Sequence, residues 1–288
     1  MRTVINLVRA ASACLLLLAG LADAAVNDQD AACHRFGPLT FGFLPLVSSE
    51  KLVQRFAPLV HYLAAALNTP VRIETAPDFA AFIRRTNHEK RYDLLFTAPH
   101  LFYLARKKAD YHFLVSVDSP GMSAVIVAPQ QSQIKTVRDL AGRKLATVDP
   151  MSLATLLVRK QLKENGLDPD ADLTLVTTPS HNASLLSSYY GATDASSLMM
   201  PPFMVANPEV RESMRVITVT ESAPHMPISA APWFEPECRE KISAALLSMQ
   251  STAAGQEALD KAGFQRFTPS SAGKYDVLKW AAEQIDIE

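Results

Sequence analysis

Apolar residues recur along this chain with two periods that keep trading places. Leu39-Thr-Phe-Gly-Phe-Leu44 is a short apolar run closed by Pro45. Behind Ser48-Ser49-Glu50, apolar residues fall at Leu52, Val53, Phe56, Leu59, Val60, Leu63 and Leu67, the stripe of one helix face. Pro58 inside that stripe predicts a kink or a division, because proline removes a backbone donor and crowds the preceding turn. Val71-Arg-Ile-Glu74 reads as a strand, and Asp78 as the cap of a short helix with Phe79, Phe82 and Ile83 inward. Tyr92-Asp-Leu-Leu-Phe96 reads as a buried strand, and Thr97-Ala-Pro-His100 opens a helix with Pro99 in its first turn, where proline is tolerated. Tyr111 to Val117 is strand again. The alternation over residues 39–117 predicts a mostly parallel sheet with helices on both faces.

Asp118-Ser-Pro-Gly121 interrupts this series and a second one follows. Its strands are expected at Ser123–Val127, Leu145–Val148, Leu173–Val176, Asp194–Met200 and Val216–Val219. Helices are expected at 152–165, stopped by Gly166, and 182–190, stopped by Gly191, with a short helix or turn at Thr136–Gly142. Glu221-Ser-Ala-Pro-His-Met-Pro227 is a second interruption, and helical patterns then fill 236–250 and 254–262. Two α/β series with two breaks predict two lobes: residues 25–119 with 226–288, and an inserted lobe at 120–225. The two breaks are the crossovers, and the C-terminal helices return to the first lobe. Ligands of open α/β sheets sit beyond the carboxyl ends of strands, so the space between the lobes is the expected site.

The amino terminus has another character. Arg2 and Arg9 precede an almost wholly apolar run from Ala10 to Leu21, and Ala22-Asp23-Ala24 has the small-x-small form of a cleavage site. This is the pattern of a secretory signal peptide; at about 12 residues the apolar core is short of the ~20 that a spanning helix needs. Cleavage near Ala24 is expected to leave an exported chain, outside the cytoplasm. The full sequence carries −1, and losing Arg2, Arg9 and Asp23 makes it −2, without the basic excess that nucleic-acid binding requires. Cys33 and Cys238 survive cleavage, and an oxidising compartment with an even count predicts a bridge between them; two free thiols are the alternative.

Motifs of turnover are missing. The sequence has no Gly-x-Ser-x-Gly, no phosphate loop of the Gly-x4-Gly-Lys type, no Gly-x-Gly-x-x-Gly and no Cys-x-x-Cys. Its seven histidines include no pair at i,i+4. Binding is therefore expected rather than catalysis, with neither cofactor nor metal. Candidate ligand contacts follow the strands. Ser152, after Asp149-Pro150, is placed to cap the helix that starts behind it, where free N–H groups and the helix dipole favour an anion. Ser48 follows the first strand, Thr97 and His100 the strand at 92–96, and His181 the strand at 173–176. Tyr103 lies one turn beyond His100, and Asp194 follows Gly191.

The order of short motifs resembles the phosphate/phosphite/phosphonate-binding family of periplasmic solute-binding proteins. It runs through Phe43-Leu-Pro45, Phe56-Ala-Pro-Leu-Val-His-Tyr-Leu63 and Tyr92-Asp-Leu-Leu-Phe-Thr-Ala-Pro99 with Tyr103. It continues through Val137-Arg-Asp-Leu-Ala-Gly-Arg-Lys144, Asp149-Pro-Met-Ser152, Ser180-His181 and Gly191-Ala-Thr-Asp194, then Ala254-Gly255 to Phe264 and Tyr275-Asp276. The resemblance implies a two-lobed protein of type II topology. Such a protein, expected as a monomer, delivers a small anion to an ABC permease in the inner membrane. It also implies that the anion sits on the helix behind Ser152, with Ser48, the Thr97–His100 segment, His181 and Asp194 completing the site. A sensory adaptor built on the same lobes is the other class of function that the sequence allows. One departure bears on the ligand. Where the family's phosphonate binders continue with hydroxyl residues, this chain has Leu153 and Ala154, and the next hydroxyl is Thr155. The loss of two side-chain donors suits a less charged or partly apolar ligand.

Overall fold

The computed structural model of the protein describes Cys33 and residues 37–285. The first half of the chain builds β1 (Leu39–Phe43), α1 (Ser49–Leu67), β2 (Val71–Glu74), α2 (Phe79–Asn87), β3 (Leu94–Phe96), α3 (Pro99–Ala109) and β4 (His112–Val117). A second sheet follows from β5 (Ala124–Pro129), β6 (Lys144–Thr147), α4 (Leu153–Glu164), β7 (Thr174–Thr177), α5 (His181–Tyr189), β8 (Ala195–Met199), α6 (Met200–Met204), α7 (Pro208–Glu212) and β9 (Met214–Val219). The chain then returns through β10 (Pro227–Ala230), α8 (Pro236–Ser248), α9 (Ala253–Ala262), β11 (Phe267–Thr268) and α10 (Lys279–Ala282).

The strand orders are β11-β4-β10-β3-β1-β2 and β7-β6-β8-β5-β9. Each sheet has three parallel strands at its core, β2-β1-β3 and β7-β6-β8. Beside them lies one antiparallel strand, β10 or β5, which is the first strand after a crossing between the sheets. β1–β4 thus run one way with β10 and β11 against them, and β6–β9 run one way with β5 against them, so each sheet is mostly parallel with antiparallel strands added. β10 went unrecognised in the sequence because its four residues lie directly behind the Pro-rich break and carry no periodic signal of their own.

The helix at 49–67 is continuous, with Pro58 inside it. Proline in a helix interior costs about 3 kcal/mol, and burial of Leu52, Phe56, Leu59, Val60, Leu63 and Leu67, at about 1.5–3 kcal/mol per large apolar side chain, outweighs it. Val53 lies off that face, 47% exposed. Phe43, Phe56, Phe96 and Phe264 pack with ring centroids 4.8–6.2 Å apart, placing one large aromatic group at the carboxyl ends of β1 and β3. The second core gathers Leu145, Leu153, Leu157, Val158 and Leu162 around β6 and α4.

Both sheets are tied together outside the two crossings. α8 and α9 return to the first core through Ile242, Leu246 and Leu259. The tail goes further: Leu278 belongs to the second core, and Trp280 packs against it with Lys160 over its ring at 5.3 Å. Between the lobes, the His100 side chain of α3 meets the Met151 carbonyl, 2.9 Å from Nε2. Cys33 and Cys238 are joined by a disulfide across a sequence separation of 205, fixing the start of the described chain to α8.

Two outcomes are expected. Closing so long a loop restricts the unfolded chain, so Cys238→Ser should lower the unfolding free energy in urea by about 4 kcal/mol. Unreduced, denatured protein lacking residues 1–24 should show no reactive thiol. Burial holds the His100 imidazole at about 4 against its usual 6.5, so the unfolded chain binds a proton that the native state refuses. Stability from this group is present above the unfolded value and falls as pH drops toward the folded one. Urea titrations should show a loss of about 2 kcal/mol between pH 7 and 5 from His100, and His100→Gln should flatten that slope.

Candidate functional site

A cavity of about 560 Å³ opens between the lobes, at the carboxyl ends of the parallel strands of both sheets. The first lobe supplies Leu44, Leu46 and Val47 after β1, Arg55 and Phe56 from α1, Phe79 from α2, Phe96 and Ala98 at β3, and Phe264 behind α9. From the second come Ser152, Leu153 and Ala154 at the start of α4, His181 at the start of α5, and Met199, Pro201 and Pro202 after β8. Both crossings form part of the wall, through Asp118–Pro120 with Met122 and through His225 with Met226.

The turn between β6 and α4 is fixed by its own polar groups. Asp149 accepts from the Met151 amide at 2.8 Å, and its backbone carbonyl accepts from the Ser152 amide at 3.0 Å. The Ser152 hydroxyl caps the helix by accepting from the Thr155 amide at 3.3 Å. It donates to Thr155 Oγ1 at 3.1 Å, which donates to the Val148 carbonyl at 3.2 Å. The Ser152 proton is therefore directed back into the fold. The amides of Leu153 and Ala154 have no carbonyl four residues behind them inside the helix, and their residues line the cleft. Burial raises the Asp149 carboxyl above its ordinary value, with Asp78 of the opposite lobe adding to the rise and the Met151 amide opposing it.

Three buried imidazoles belong to this region, His100 against the turn and His181 and His225 in the cleft lining. At His100 the Met151 carbonyl can only accept, so Nε2 carries the proton and the buried Nδ1 has no partner among the described residues. His181 opens α5, whose cap is Ser180 accepting from the Ala183 amide at 3.1 Å. Burial lowers His181 to about 4, and its Nδ1 is likewise unpartnered among the described residues. His225 is lowered to about 4, first by burial. Its Nδ1 accepts from the Met226 amide at 2.8 Å, and Tyr275 donates to its backbone carbonyl at 3.0 Å.

Arg55 is the one lysine or arginine among the residues lining the cleft. Its Nε and Nη2 donate to the Ala262 carbonyl at 2.8 and 2.6 Å, and its guanidinium lies over Phe56 and Phe264 at 5.2 and 5.7 Å. Gly263 makes the close approach possible: it ends α9 at φ +72°, and a Cβ there would sit 3.1 Å from Arg55 Nη2. Asp118, at the first crossing, is paired with Arg266 at 2.6 Å.

Of the residues singled out in the sequence, Ser152, Leu153, Ala154 and His181 come together in this cleft. The others do not reach it. Ser48 precedes α1 as an exposed residue whose side chain makes no cap bond. Thr97 is buried behind β3 against Phe82, Ile83 and Leu101. His100 is wholly buried and supports the Met151 carbonyl from behind the turn. Tyr103 turns toward Arg106 and Lys107, whose charges lie 5.4 and 5.9 Å from its ring. Asp194 sits at the opposite rim of the second sheet, where it accepts from the Lys144 amide at 2.8 Å and pairs with Arg143 at 3.8 Å. A residue before a strand belongs to that strand's amino end, which in a parallel sheet faces away from the ligand. The sequence reading missed Arg55, His225 and the phenylalanine wall. Arg55 adjoins Phe56 of the apolar stripe, and His225 lies in the second break; each position carried the available signal.

Among the described residues no cluster of His, Cys, Asp or Glu is arranged to hold a metal ion, and no helix is long and apolar enough to cross a membrane. Residues 41–275 match the family described as ABC transporter, phosphonate, periplasmic substrate-binding protein. The fold is similar to that of a binding protein component of an ABC phosphonate transporter from Pseudomonas aeruginosa, at TM-score 0.74 and 17% identity, over 86% of this chain and 88% of that one. It is similar also to PhnD1 from Prochlorococcus marinus, solved with methylphosphonate, at TM-score 0.76 and 17% identity, over 86% and 97%. A curated relative, the ATP phosphoribosyltransferase of Chlorobium phaeovibrioides, is 28% identical over 149 residues, 51% of this chain and 45% of that enzyme. This chain thus spans about half the length of that relative. Two mixed sheets flanked by helices, with a cleft at their strand ends, are the type II periplasmic binding fold. By the match over residues 41–275, the chain belongs to the periplasmic substrate-binding proteins of phosphonate ABC transporters.

Proposed function

We propose that the protein captures a small oxyanion-bearing solute, of the phosphonate, phosphite or phosphate kind, between its lobes and passes it to an inner-membrane ABC permease. The observation that carries this reading is the start of α4 in the cleft wall, with Ser152, Leu153 and Ala154 side by side. Amides at a helix start point at a bound anion and the helix dipole favours its charge. His181 stands at the start of α5 in the same wall. In this reading residues 1–24 are the export signal, cleaved near Ala24, and the mature chain works as a monomer.

Capture proceeds by hinge motion at 118–123 and 220–226. Ligand favours the closed arrangement to the extent that it touches both lobes. The turn at 149–152 is the point where the ligand's polar head and the opposite lobe meet, since His100 already reaches it. Transport is the role proposed, and none of its steps asks for covalent chemistry from the chain.

A thermal-shift screen of the purified mature protein with phosphate, phosphite and methylphosphonate tests the reading. A true ligand at 100 times its Kd should add about 2.7 kcal/mol to stability; silence from every oxyanion would remove the anion assignment. Ser152→Ala should cost about 1 kcal/mol of stability through the lost cap. It should also weaken the best oxyanion by about tenfold in titration calorimetry, because the first turn of α4 loosens. Unchanged affinity with reduced stability would make this helix start a purely structural one.

A further inference from the structure

The cleft walls fit one kind of ligand better than another. Phe56, Phe79, Phe96 and Phe264 line the first-lobe side, and Leu44 and Leu153 continue the apolar surface toward the second. These groups are supported from behind: Phe56 and Phe96 are 4% and 3% exposed, and Leu153 is 3% exposed. A cavity of about 560 Å³ far exceeds the room that a bare phosphate or methylphosphonate fills, and a buried apolar wall left against an ion gains nothing from it.

Charge in the cleft is equally restricted. Arg55 is the one fixed cation among the lining residues, and two of its five N–H donors are spent on the Ala262 carbonyl. Burial holds His181 and His225 at about 4, so neither adds a positive charge near pH 7. Asp118, also in the lining, brings a carboxylate whose partner Arg266 lies outside the wall. Ser152 has its proton committed to Thr155. With Arg55 the one cation in the lining and Asp118 also part of it, a buried dianion would carry a charge that no second cation offsets, whereas one negative charge is offset by the guanidinium and the α4 amides.

We infer that the solute is an organic monoanion, a singly charged oxyanion head on a ring-sized apolar body, with the head at the start of α4 and the body against the phenylalanine wall. This rests on the oxyanion reading above and narrows it. It differs from a small doubly charged phosphonate in both charge and bulk.

Four probes separate these properties on the mature protein by titration calorimetry at mildly alkaline pH, where phosphonates are doubly charged. Benzenesulfonate and methanesulfonate share a head and differ in body; benzenesulfonate and phenylphosphonate share a body and differ in charge; methylphosphonate has neither property. Benzenesulfonate should bind about tenfold or more tightly than each of the other three. In Leu153→Thr, which adds a hydroxyl at the α4 start and removes apolar wall, the ratio of benzenesulfonate to methylphosphonate affinity should fall by about fivefold or more. Phe79→Ser should weaken benzenesulfonate while leaving methanesulfonate within about twofold. Methylphosphonate binding as tightly as benzenesulfonate, or more tightly, would overturn the inference and leave the oxyanion reading standing. Failure of all four to bind would overturn both.

Discussion

The turn from β6 into α4 is held from two directions, and the site depends on that. From its own lobe, Asp149 fastens the Met151 amide, and the Ser152–Thr155–Val148 chain of hydroxyls closes the turn on itself. From the other lobe, the His100 imidazole reaches the Met151 carbonyl. His100 makes that contact as a neutral, fully enclosed imidazole, since a charged one would be desolvated without a counter-ion. The helix amides that face the cleft therefore have a fixed direction before any ligand arrives, and no ordering cost falls on the ligand for them.

Much of this was legible in the chain. The two α/β series, their two breaks and the Ser152 cap follow from period, proline and capping chemistry, which are local rules. So did the pairing of Cys33 with Cys238, given an oxidising compartment and an even count. The strand β10 was not legible, because its partners β3 and β4 are far away in sequence and its direction is set by the return crossing. Site residues divided along the same line. Those at strand carboxyl ends in the second lobe reached the cleft, as Ser152 and His181 did. Asp194 did not, because a residue that precedes a strand lies at the other rim. His100 and Thr97 follow β3 as expected, yet tertiary packing turned both inward. Arg55 entered the wall through a bond to Ala262, which is 207 positions away, and no local pattern announces such a partner.

The tail shows how a two-lobed protein keeps its halves in register. Leu278 and Trp280 pack with the second core although the preceding helices belong to the first. Arg106 of α3 pairs with Asp276, so the same segment is anchored to the first lobe by charge. With the two crossings and this segment, three strands of chain pass between the lobes. Three connections leave the lobes fewer free rotations relative to one another than two would.

The phenylalanine group at the ends of β1 and β3 has a double membership. Phe56, Phe96 and Phe264 are part of the first hydrophobic core and also part of the cleft wall. A substitution there changes what the protein binds and whether it folds at the same time. The second-lobe wall is divided: Leu153, Ala154 and Met199 belong to the second core, whereas Pro201 is exposed and Pro202 half-buried, and these two belong to neither core of that lobe. The cleft can therefore be reshaped at Pro201 and Pro202 without opening a hole in either core, whereas truncating a phenylalanine of the first-lobe wall changes cleft and core together.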